Sequence, residues 1–165
     1  MKFNREVAQG RLAALMDQPA TGVGRALDMG VIEFGDMIKG PGSSSGSAFA
    51  LHANCPFRLM MEGRILVGSE DMKWLAKDVM NGFAADDERS VYDIRVERID
   101  EFFVASHPKV WSVNVSSIGD VRLDLEEDLV IEVFAMSSRS SEAWRFFHRY
   151  GEHYTFPVDG EPKET

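Results

Sequence analysis

The apolar positions change their spacing several times along the chain, and each change marks an element. Ala8, Leu12, Leu15 and Met16 recur at helical spacing behind Asn4, a good helix cap, which predicts a first helix from Asn4 to about Met16. Gly10 costs that helix ~1 kcal/mol relative to alanine, so it must lean on the body of the fold. The run Gln18-Pro19-Ala20-Thr21-Gly22 ends it. From Arg25 to Ile38 the apolar residues come in short runs broken by Gly30 and Gly35, which reads as strand with a bulge or bend at Gly30. The glycine- and serine-rich segment 39–47 is a loop joining two antiparallel strands.

Period-2 alternation then takes over. Phe49, Leu51, Ala53 and Cys55 alternate with Ala50, His52 and Asn54, and Phe57, Leu59 and Met61 continue the apolar face past Pro56. Glu62-Gly63 is a turn, and 64–68 returns as a strand. Residues 69–89 have apolar content without clean periodicity. A helix is predicted to start at Ser90, with Asp93 in the capping-box position, and to present Tyr92, Val96, Ile99 and Phe103 on one face. The alternation at Tyr92, Ile94 and Val96 also suits a strand. The apolar set runs on to Phe102 and Phe103 without it, which decides for helix.

After Pro108, three alternating segments (111–115, 121–125 and 129–134) separated by acidic or glycine turns predict an antiparallel meander. Residues 142–150 form a last short helix or strand, and the polar tail 158–165 is predicted to fray. Elements in the order helix, strands, helix, strands, without βαβ alternation, give an α+β fold. It has a mostly antiparallel sheet with the N-terminal and central helices packed on it, in one domain over 1–157.

Composition narrows the function classes. The 165 residues are 44% hydrophobic and carry a net charge of −9, which describes a globular domain and excludes collagen-like or disordered chains. The charge argues against nucleic acid as a partner and is compatible with a basic protein. No stretch approaches the ~18 apolar residues of a membrane span. The N-terminal MKFNREVAQG lacks the apolar run of a leader, and Met1 counts against one already removed. A single cysteine, Cys55, allows no internal disulfide. These features together predict a cytoplasmic protein with no membrane association.

Candidate chemistry is sparse. The 40–47 loop has no lysine after Gly46 and leads into a strand, so it is not a phosphate loop. His52, His107, His148 and His153 are scattered and there is no HExxH, so neither a metal nor a cofactor is expected. The polar set of most interest is His52, Asn54 and Arg58. These share a parity in an extended segment, with Pro56 as the place where the alignment can break. A strand face with an imidazole, an amide and a guanidinium suits a carboxylate or phosphate. The same residues can equally pair with Glu33 or Glu132 and be structural. Cys55 falls on the opposite, apolar side and reads as a buried, inert thiol.

Residues 50–58 (ALHANCPFR) and 63–71 (GRILVGSED) resemble a family of small bacterial proteins of unassigned function whose pattern is "ALHxxCPWR…GxxxVGSxD". Residues 25–35, 119–134 and 142–145 resemble its remaining segments, "RAxxMxxxxFG" and "GxLxLxxxxxLxLEVFPxSSxxxEWR". The similarity covers about two thirds of the chain. It departs at Phe57, where the family has tryptophan, and over 74–91. It implies a bacterial cytoplasmic domain, supplies no mechanism, and adds Asp71, Glu132, Trp144 and Arg145 to the residues of interest. One physical account is a charged network, Arg58 or Arg145 with Asp71 or Glu132, that fixes sheet register. Two functional expectations follow. The first is a non-enzymatic interaction domain that binds a protein partner or itself, one version being an immunity-type protein that neutralises a toxin. The alternative is a small-ligand domain or enzyme using His52, Asn54 and Arg58.

Overall fold

The computed structural model describes residues 3–139 and 141–157, so the predicted frayed tail lies outside the described residues. Helix α1 (Arg5–Leu12) begins where Asn4 Oδ1 accepts the N–H groups of Glu6 and Val7 at 3.0 and 3.2 Å. A 3-10 turn over Ala13–Leu15 completes the predicted helix. Strands β1 (Ala20–Ala26), β2 (Met29–Lys39) and β3 (Ser45–Ala53) follow, then β4 (Phe57–Met61) and β5 (Arg64–Gly68). The segment that lacked periodicity holds a 3-10 turn (Ser69–Lys73) and the short α2 (Ala76–Val79). Helix α3 (Val91–Ser106) starts at the Ser90/Asp93 capping box. It stops at His107, whose left-handed φ of 47° lies just ahead of Pro108. The meander is β6 (Val110–Val115), β7 (Val121–Leu125) and β8 (Leu129–Val133), and the chain closes with β9 (Trp144–His148) and β10 (His153–Phe156).

The fold is α+β and mostly antiparallel sheet, arranged as two five-stranded sheets in the orders β1-β2-β3-β9-β10 and β5-β4-β8-β7-β6. Their inward residues (Ile32, Phe34 and Leu51 from the first; Leu59, Leu123 and Ile131 from the second) merge with Leu12, Tyr92 and Phe103 of the helices in one core. Trp144 is fully buried there, and its indole N–H donates to the Gly119 carbonyl at 2.7 Å, so its one polar group is satisfied.

Two expectations need correction. The predicted single strand with a bend at Gly30 is the β1–β2 hairpin, which turns at Leu27 and Asp28, with Leu27 at φ 55°. The register shift in β2 falls between Phe34 and Met37, where Gly35 has φ 84°. Gly30 is small for another reason: a Cβ there would lie 2.3 Å from the Phe57 ring of the opposite sheet. Of the two forms expected over 142–150, helix or strand, the structure has the strand, β9, and β10 pairs with it.

Helices α1 and α3 serve sheet edges, whose unpaired backbone groups are a liability when left open. Helix α3 lies against β1, where Asp100 Oδ1 accepts the Val23 N–H at 2.8 Å and the Tyr92 hydroxyl donates to the Gly24 carbonyl at 2.7 Å. The same helix also contacts β5. Helix α1 packs on β6, while its flank reaches β10 through the edge-to-face pair Phe3–Phe156. Thus α3 touches an edge strand of both sheets, and α1 touches one while Phe3, just ahead of it, reaches the other.

Candidate functional site

The chain passes from the first sheet to the second between Ala53 and Phe57. Leu51 and Ala53 are buried on one side of this crossing, and Phe57 and Leu59 on the other. His52 therefore points out of the first sheet and Arg58 out of the second, with Asn54 exposed in the bend between them. Equal parity in the sequence does not become a common face, because Pro56 and the crossing intervene. The structure separates His52 from Arg58 and places each in its own polar group.

Arg58 belongs to a ladder across the second sheet. Residues 58, 132 and 122 are direct cross-strand neighbours on β4, β8 and β7. Arg58 contacts Glu132 at 2.7 Å, and Arg122 contacts Glu132 at 3.1 Å and Asp124 at 2.9 Å. This is the expected charged network in its Arg58–Glu132 form, with Arg122 and Asp124 added. The Arg58 guanidinium also lies 5.2 Å from the centre of the Phe134 ring. Asp71 stays out of the ladder, since its carboxylate accepts the Gly68 N–H at 2.9 Å and ties the 3-10 turn to the end of β5.

A surface pocket of about 170 Å³ adjoins the ladder. Its form follows from strand alternation. Val115, Val121 and Val133 point into the core, so backbone lies low between the outward residues on either side. Glu132, Arg122 and Asn114 make one wall, and Phe134, Asp120 and Ser116 the other. Asp120 Oδ1 accepts the Ala135 N–H at 2.8 Å, and the Ser116 hydroxyl accepts the N–H groups of Ile118 and Asp120 at 3.3 and 3.0 Å.

His52 sits in a second polar group, on the first sheet, directly across from Arg145. Its ring meets Phe147 edge-on at 4.9 Å, and Phe147 stacks on His153 at 4.4 Å. Burial, and then the positive charges of Arg145 and Arg149, lower the pKa of His52. Arg145 is paired with Glu142 at 2.8 Å, and Arg149 with Glu33. Arg145 therefore takes a neighbour in sequence as its carboxylate, rather than Asp71 or Glu132.

Cys55 is partly buried against the core, and burial pushes its thiol up to about 11, which leaves little thiolate at neutral pH. Among the described residues, no group of three His, Cys, Asp or Glu side chains comes together to hold a metal. No helix of the described residues is long and apolar enough to cross a membrane.

Sequence reasoning missed Asp120, Arg122, Asp124 and Phe134. The alternation over 121–125 already placed Arg122 and Asp124 on the polar side, but only the strand order brings them to Glu132. Comparison with protein-family models, with curated proteins and with solved structures returns no match.

Proposed function

We propose that this chain is a non-enzymatic interaction domain of the reducing cytoplasm, which binds a protein partner through the outer face of its second sheet. The observation that carries this reading is the ladder itself. It holds Arg58, Glu132, Arg122 and Asp124 in mutual pairs, with Arg58 and Arg122 still 40% and 49% exposed. Such groups offer a partner fixed charges at known positions, which suits specificity and encounter more than chemistry. The exposed Ile65 and Ile118 flank this face and supply apolar contact. With a net charge of −9, a basic partner is favoured, and an immunity-type protein that neutralises a basic toxin is one concrete form. The separation of His52 from Arg58 counts against the alternative, a small-ligand or catalytic site built from both with Asn54.

The test is co-purification with tagged protein, including expression beside toxin-encoding neighbours, repeated with Glu132→Arg. The reading expects a reproducible partner that the substitution releases. No partner, or one indifferent to Glu132→Arg, overturns it.

A further inference from the structure

The pocket beside the ladder has room for one side chain. It is smaller than the roughly 300 Å³ at which drug-sized ligand sites begin. The charge left free in it is of one sign. Among the described residues the Asn114 amide has no hydrogen-bond partner, and Asp120 uses one carboxylate oxygen on the Ala135 N–H and keeps the other. Ser116 already accepts two N–H groups, and Arg122 is engaged by both Asp124 and Glu132. Asp120, Asp124 and Glu132 outnumber Arg58 and Arg122 by one charge. Phe134 adds an aromatic wall that already receives one cation, Arg58. What remains unoccupied is acceptor capacity on Asp120 and Asn114 together with negative potential; the Asn114 N–H groups and the Ser116 O–H are donors without charge.

We infer that this pocket receives a lysine side chain of a basic partner protein, the ε-ammonium donating to the free Asp120 oxygen and to the Asn114 carbonyl beside the Phe134 ring. An ammonium is compact and has three donors, which fits a pocket of this size better than a planar guanidinium fork. The inference rests on the interaction reading and names the chemistry of its partner. Charge complementarity acts at two scales, with a net charge of −9 drawing a basic surface in and the pocket fixing where one lysine seats.

The experiment is a titration of the ¹⁵N-labelled full chain with Nα-acetyl-lysine N-methylamide, followed by amide shifts. The matching compound acetylated at the ε-amine, which has no charge, is the control. Perturbations confined to Ser116, Asp120, Val121, Glu132 and Ala135, seen only with the free amine, support the pocket. Asp120→Asn should weaken the probe about fivefold, the effect of losing one partly exposed charge. That variant keeps an oxygen for the Ala135 N–H, so its spectrum reports whether the fold is intact. Asn114→Ala, whose side chain holds nothing in the free protein, should weaken the probe in the same direction. Equal response to the acetylated compound, shifts spread over the acidic turns 86–88 and 126–128, or indifference to both substitutions overturns the inference. Concentration-dependent shifts at these amides without probe also overturn it, because a second copy would then be the occupant. The interaction reading rests separately on co-purification, so a failed titration does not decide it.

Discussion

The side-chain amide nitrogen of Gln9 donates to the backbone carbonyl of Val113 at 2.6 Å. Its amide oxygen accepts the Val115 N–H at 2.8 Å, and Arg5 donates to the Val115 carbonyl. One glutamine on α1 thus imitates the peptide group of a neighbouring strand and closes the edge of β6. Removing it leaves a donor and an acceptor short of partners at that edge. Gln9→Leu keeps the helix and should cost about 1–2 kcal/mol, the usual loss for two partly solvated hydrogen bonds. Urea unfolding measures it, and an unchanged midpoint would refute the capping role. The reopened edge should also make the variant more prone to self-association in light scattering.

Asp93 joins two jobs at the other helix. It closes the capping box with Ser90 and pairs with Arg25 on the β1–β2 hairpin at 2.7 Å. The Arg25 hydrogen bonds, assisted by those from Ser90, hold its carboxyl down to about 2. In the unfolded chain the group titrates near the ordinary value of about 3.9, so between there and 2 the unfolded state binds the proton more readily. The contribution of Asp93 is therefore complete above about pH 4 and lost as pH falls through its folded value. Asp93→Asn should destabilise the protein at neutral pH by about 1–2 kcal/mol, mostly from the lost charge pairing with Arg25, since the amide keeps an oxygen for the Ser90 N–H. The gap from wild type should narrow as pH approaches 2 in urea unfolding. A gap independent of pH would mean that the carboxylate charge contributes nothing.

Gly30 faces the Phe57 ring with no room for a methyl group, since a Cβ there would stand 2.3 Å from two ring carbons. Gly30→Ala should overpack the contact between the sheets and cost about 1–3 kcal/mol. Phe57→Leu, in the same chain, should recover part of that loss. A double-mutant cycle in urea tests it, and additive effects would place the strain elsewhere.

Much of this fold was legible, and the illegible part has an identifiable cause. Caps and periods are local. Ser90 with Asp93, the 111–134 meander and the Glu62–Gly63 turn were each readable from a few neighbouring residues, and each is present. The β1–β2 hairpin was missed because its turn residues, Leu27 and Asp28, are not the usual asparagine–glycine pair and Leu27 adopts a positive φ. The role of Gly30 was misread because Phe57, the reason for it, is distant in sequence. The same limit applies to the candidate residues. Arg58 and Glu132 were visible as a possible pair, but the chain's change of sheet at Pro56 detached His52, and Asp120, Arg122 and Phe134 gained meaning only from strand order.

Burial and two arginines set the titration of His52. Desolvation is the larger cause, followed by Arg145 and Arg149, while Glu142, the carboxylate paired with Arg145, opposes them and His153 adds to the lowering. The imidazole should therefore show a midpoint below the ordinary value of about 6.5 when followed by its ring proton in NMR. Arg145→Gln should move that midpoint upward without restoring it fully, since burial remains; complete restoration would make the charge the dominant cause. The sign for stability follows. As pH falls below 6.5, the unfolded chain takes up this proton before the folded one, so the His52 contribution is present above that pH and lost progressively below it. His52→Gln, which cannot titrate, should flatten the decline in urea stability between about pH 6.5 and 5 relative to wild type. If both proteins lose stability with the same slope across that interval, His52 is not a source of acid sensitivity, and the lowered midpoint would have to be matched in the unfolded chain.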